Sequence, residues 1–410
     1  MRKWSYEPEI PEDVLQYACC DVNNRGVTCA GGKLFVGRLD GKLSAVDAAT
    51  GKEIWKTWTV PGPGEASHDT WKGDSWQHGG AVLWLTGSYD PKTNTVLRGT
   101  SNPGAWNSAV RSTGNGDYGR LSKLYSSSTV AFDADTGKIK WRVQATPQDA
   151  WDYDGVNELV LADLAVGGGG RTPVYMKADR NGFFYVVNRD TGKIVSAEKY
   201  VPTNWASKID LATGRPQEDP DKRPGPNHPV KGVCPNLIGG KNWQPMSFNP
   251  ETGLVYIPTN NICMDWSVSE VNYRKGVFYL GAEFPTLPGP GGYMGELVAW
   301  DPVAQKKVWG VETDLPFNGG TLSTAGGLTF WGDLHGVFHA YDARSGRELW
   351  KAQLGSGIGA GPISYAVDGK QYVAVVVGRT AAIPAFLGEV GKKMTEATPE
   401  GGALFVFTAE

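Results

Sequence analysis

Short apolar runs closed by turn-forming residues dominate the chain. Gly32-Lys33-Leu34-Phe35-Val36-Gly37 and Gly327-Leu328-Thr329-Phe330-Trp331 read as strands. A repeat organises them. Ala45-Val46-Asp47-Ala48-Ala49-Thr50-Gly51-Lys52-Glu53-Ile54-Trp55 recurs at residues 131–141 and again at 340–350, each copy ending on Trp. Looser copies begin at Val187, Phe248, Tyr89 and Ala299. Each copy predicts a hairpin in which an apolar strand ends at Asp and a Thr-Gly turn uses glycine's access to positive φ. The Asp side chain can bond the turn's amides, and the closing Trp fills a gap between neighbouring units. Four strands per unit, repeated radially, predict an all-β fold, a β-propeller occupying residues 1–410 as one domain. The proline-rich stretches 215–229 and 284–292 read as insertions that interrupt the repeat without ending it.

Composition agrees with that reading and narrows the partners. The chain has 55 glycines and 16 tryptophans in 410 residues, which excludes a helical bundle and makes most indoles structural. Forty Lys and Arg against 43 Asp and Glu leave a net charge of −3, which argues against nucleic acid or an acidic membrane as partner. The longest apolar run, Tyr372 to Val377, is far short of the ~20 residues a spanning helix needs. Met1-Arg2-Lys3-Trp4 opens no signal peptide, so the literal reading is cytoplasmic. A mature or shortened secreted chain is the preferred one.

Five cysteines are few for a disulfide scaffold, and no Cys-x-x-Cys suggests zinc, thioredoxin chemistry or attached haem. Cys19 and Cys20 are adjacent, either as a strained vicinal disulfide or as two free thiols in a strand. Cys234 and Cys263 form a possible second bridge, leaving Cys29 unpaired. His335 and His339 fall on one face of a strand and read as a surface pair rather than a metal site. Trp151-Asp152-Tyr153-Asp154-Gly155-Val156-Asn157-Glu158 sets three carboxylates and an amide among aromatics. Such hard oxygens suit calcium, a lanthanide, or a general base beside a cation; a solvated acidic loop is the equal alternative.

Together these residues resemble the quinoprotein alcohol dehydrogenases, the pyrroloquinoline quinone (PQQ)-dependent family that includes methanol dehydrogenase. That resemblance implies a periplasmic propeller, eight-bladed in the family, that oxidises a primary alcohol to the aldehyde. It implies a ring disulfide at Cys19-Cys20 above the quinone, with Arg25 reaching its carboxylates and Trp84 stacking on the opposite face. Asn102 and Asp152 correspond to metal ligands, and Asp154 to the extra carboxylate of lanthanide-using members. Asp152 is also the implied catalytic base, Arg180 the residue bonding the quinone oxygens, and Asn242, Trp243 and Asn318 the lining of the ring's edge. Cys234–Cys263 matches a family disulfide. In the implied reaction Asp152 takes the alcohol's hydroxyl proton while hydride passes to the quinone, with calcium or a lanthanide as Lewis acid and Arg180 stabilising the reduced oxygen. Electrons would leave to a separate c-type cytochrome, and the family pattern leaves room for a homodimer.

Two departures qualify the resemblance. Arg2-Lys3-Trp4-Ser5-Tyr6 looks like the tail of a first blade's tryptophan motif, so a family glutamate that contacts the quinone is absent. Gly51 to Thr57 runs straight into Trp58 to Glu65, as if one repeat had been excised in register. The excised repeat would carry the family's Gly-Gly-Glu, whose glutamate is a metal ligand. About six full blades and an incomplete metal site are therefore expected. The rival reading is a catalytically incomplete remnant or a binding scaffold derived from such a dehydrogenase.

Overall fold

The computed structural model describes residues 2–18, 24–111, 121–168, 170–379 and 382–408. Turn chemistry accounts for its architecture. Asp47 Oδ1 accepts the Thr50 amide and hydroxyl, both at 2.7 Å, and the Ala49 amide at 3.1 Å. Gly51 takes φ 75°. Asp133, Asp342 and, in a looser copy, Asn188 make the same set of bonds.

These hairpins are the outer half of antiparallel sheets that form the propeller blades. Five sheets of four strands lie within residues 28–58, 88–144, 160–199, 247–313 and 321–353. A sixth has three strands, Ile363–Val367, Lys370–Gly378 and Gly402–Phe407. The all-β propeller expectation holds. Of about six full blades expected, five are four-stranded and the sixth three-stranded among the described residues.

The motif tryptophans join one blade to the next. Trp4, Trp55, Trp141 and Trp309 cover the turn glycines Gly51, Gly137, Gly192 and Gly346, and a Cβ on Gly137 would fall 2.5 Å from Trp55 Cε3. The indoles of Trp4, Trp55 and Trp309 donate to the carbonyls of Ala48, Ala134 and Ala343. Trp4 thus fills a motif position, and the first blade docks directly on the second. Their interface is apolar, with Phe35, Leu43 and Ala45 against Val96, Val130 and Phe132. Each large side chain so buried contributes about 1.5–3 kcal/mol. Among the described residues the far face of the sixth blade has no such cover: Ile363, Val376 and Leu404 are 59%, 53% and 65% exposed.

Inserted segments build a lateral sheet in which Val230–Val233 and Thr286–Pro288 flank Ile262–Val268. The Cys234–Cys263 disulfide ties it together, and Cys29 is a free, exposed thiol. Cys19 and Cys20 lie outside the described residues. The expected histidine surface pair is corrected. His335 sits in a turn bonded to Asp314, whereas His339 is buried in Val337–Asp342 because its strand register stacks it on Trp331, 4.3 Å away. No described helix is long and apolar enough to cross a membrane.

Candidate active site

Antiparallel blades bring two kinds of connection to one end of the propeller: the entry to the first strand and the turn between the second and third. Trp84, the 151–158 segment, Asn242-Trp243 and Asn318 all precede first strands. Asn102 and Arg180 occupy second-to-third turns. Residues scattered over more than 200 positions therefore share one face.

Arg180 is the hub. Its Nη1 donates to Asp154 Oδ2 at 2.6 Å, and its Nη2 to Asp152 Oδ2 at 3.0 Å and Leu237 O at 2.5 Å. Trp84 Nε1 donates to the same Asp154 Oδ2 at 3.0 Å, and the Asn102 amide to Asp154 Oδ1 at 2.6 Å. The acidic segment is therefore no solvated loop, for Asp152 and Asp154 are both buried. Gly155 and Gly239 permit the close approach: a Cβ on Gly155 would fall 2.5 Å from Ser128 N, and one on Gly239 2.6 Å from Arg180 O. Asp152 itself holds φ 65°, the left-handed strain that side chains tolerate where a fold fixes them at a site.

Charge is concentrated here. Burial raises the Asp152 carboxyl well above the ordinary range; Arg180 opposes this, while Asp154 and Asp149 add to it. Burial likewise lifts Asp149 to about 7. For Arg180, burial works against the charge, but Asp154, Asp152 and Asp149 overcome it and raise its pKa. Asp149, three residues before Asp152, was missed by sequence reasoning, although its position beside an acid-rich run was the available signal. Trp106, which bonds Asp152, left none.

The other expected residues form a second group joined to the first. The Arg25 amide donates to Trp84 O, and the Arg25 guanidinium lies 4.1 Å over the Trp243 ring. Asn242 O accepts Asn157 Nδ2, tying the 242–244 segment to the acidic one. Gln244 Nε2 reaches Phe317 O, which brings Asn318 alongside. These contacts link Arg25, Trp84, Asn102, Asp152, Asp154, Arg180 and the Asn242-Trp243 segment, with Asn318 adjoining through Phe317, while Cys19 and Cys20 lie outside the described residues.

These residues fit the implied cofactors. Arg25 is exposed and has no carboxylate partner among the described residues, as suits an anionic ligand. Trp84 and Trp243 offer flat apolar surface. Asn102, Asp152 and Asp154 are hard oxygen donors appropriate to calcium or a lanthanide. The described residues contain no cluster of three or more acidic, His or Cys ligands.

Comparison with known proteins places the chain. The family model for the glucose/ethanol/alcohol dehydrogenase β-propeller domain matches residues 28–229 and 293–373. Quinoprotein alcohol dehydrogenase PedE of Pseudomonas putida is 36% identical over 491 aligned positions, covering 99% of this chain and 77% of that protein. The lanthanide-dependent methanol dehydrogenase of Methylacidiphilum fumariolicum is 36% identical over 499 positions, covering 100% and 80%. Both alignments exceed the 410 residues of this chain, so the relatives carry segments it lacks. A solved europium-containing methanol dehydrogenase superposes with a TM-score of 0.82 at 36% identity, covering 99% of this chain and 85% of that one. The chain belongs to the PQQ-dependent quinoprotein alcohol dehydrogenases, β-propeller oxidoreductases that work with PQQ and a calcium or lanthanide ion.

Proposed function

We propose that the chain oxidises a primary alcohol to its aldehyde at the Arg180 cluster and passes the electrons to a separate c-type cytochrome in the periplasm. The observation that carries this reading is the bidentate grip of Arg180 on Asp152 and Asp154, one of which is held at positive φ. Bound PQQ supplies the hydride acceptor, and its partner cation the Lewis acidity. Asp152 Oδ2 accepts the alcohol's hydroxyl proton, and Arg180 keeps that oxygen oriented. Asn102, Asp152 and Asp154 would hold the cation, with the carboxylate pair favouring a lanthanide. Trp84 would lie against the quinone ring and Arg25 against its carboxylates, with Asn242, Trp243 and Asn318 along the edge.

Burial of Asp152 matters beyond position. A desolvated carboxylate is a stronger base than an exposed one, and a bound cation would offset the burial that otherwise favours its protonated form. The experiment is ethanol-dependent dye reduction after reconstitution with PQQ and either calcium or lanthanum. Activity in the native chain and its loss in Asp152→Asn support the reading; no reduction with either metal rejects it. The rival, an inactive remnant, draws on the small number of acidic ligands among the described residues.

A further inference from the structure

We propose that the groove between the fourth and fifth blades is a second binding site for the alcohol, taking a short-chain hydroxyl ligand beside the candidate quinone cradle. A cavity of about 240 Å³ lies there, and Asn318 and the 333–335 turn are among its lining. Three polar side chains that line it are almost wholly buried: Asn318 at 1%, Trp331 at 2% and His339 at 8% exposure. Among the described residues Asn318 Nδ2 and Oδ1 and Trp331 Nε1 lack a hydrogen-bond partner, while His339 Nε2 faces Asp333 Oδ2 at 3.5 Å. Leaving such a group buried and unmet costs about 1–3 kcal/mol, so three atoms around one cavity indicate that something else satisfies them.

Their chemistry selects the ligand. Trp331 Nε1 only donates, which disfavours a cation. Asp314 and Asp333 line the cavity, which disfavours an anion. A hydroxyl group accepts from the indole and donates to an acceptor such as Asn318 Oδ1, so one neutral molecule meets both needs. Leu315, Phe317 and Leu334 supply apolar wall for an alkyl chain, which water alone would leave unused. Because Asn318 also borders the proposed quinone edge, ligand held here waits next to the reacting centre. The choice of an alcohol rests on the function proposed above; the cavity and its unmet atoms do not.

The test uses the full chain without quinone or metal, so its outcome is separate from the dye-reduction assay. Titration with 1-butanol, followed by ligand-observed saturation-transfer NMR and by the Trp331 indole N–H resonance, should show saturable binding, tighter than for methanol. Trp331→Phe, which keeps the ring but removes the donor, should weaken binding about fivefold. Val311→Trp, at a half-buried position of the cavity lining, should abolish it. The absence of saturable binding to the native chain, or binding unchanged in both folded variants, would overturn the proposal even if the chain reduces dye.

Discussion

Arg180 Nη1 stands 2.6 Å from Asp154 Oδ2, and both groups are only 5% exposed. The same guanidinium holds Asp152, so one cation compensates two buried carboxylates. Arg180→Met removes that compensation and is expected to cost about 3–5 kcal/mol, read as a lower urea midpoint. Arg180→Lys keeps the charge but cannot fork between two partners. It should retain most of the stability and lose quinone-dependent turnover.

Acidity gives a second handle. Folded Asp149 titrates at about 7 because it is buried, against about 3.9 in an unfolded chain. The folded state therefore holds this proton more tightly, and the resulting stabilisation is complete below about pH 4 and lost as pH rises through about 7. Over that window the contribution of Asp149 should fall by about 4 kcal/mol. Urea midpoints of the quinone- and metal-free chain between pH 4 and 8 should decline less steeply in Asp149→Asn than in the native protein.

The tryptophan docking predicts a contrast between two glycines of similar conformation. Gly137 has φ 71° with Trp55 pressed against it, whereas Gly355 has φ 83° and open space, with no atom within 4 Å of where a Cβ would sit. Gly355→Ala should cost about 1 kcal/mol, from backbone strain alone. Gly137→Ala should cost at least twice that, because the indole must also move. Thermal unfolding of the two variants separates these effects.

The Cys234–Cys263 bridge closes a loop of 29 residues around the lateral sheet. Its removal in Cys234→Ala/Cys263→Ala is expected to cost about 3–4 kcal/mol. Because Leu237 O, which holds Arg180, follows Cys234 by three residues, the double variant should also weaken quinone retention.

How much the sequence revealed follows from how far apart the interacting residues lie. The hairpins were legible because Asp47, Thr50 and Gly51 meet within one turn. The family disulfide and the acidic run were legible through resemblance and local density. The fork of Arg180 on two aspartates was not, since partners 26 and 28 positions away meet only when the strands of the 160–199 sheet pair. His339 was misplaced for a related reason: its burial depends on cross-strand register with Trp331, which spacing alone does not give. The unmet atoms of Asn318 likewise emerge only from three-dimensional packing.

A quinone site at the Arg180 cluster and its neighbours has a direct spectroscopic signature. The most direct measurement is PQQ absorbance retained after desalting, with lanthanum or calcium present, for the native chain and for Arg180→Met. Stoichiometric retention by the native chain and its loss in the variant are expected. No retention by the native chain with either metal would contradict a quinone site there.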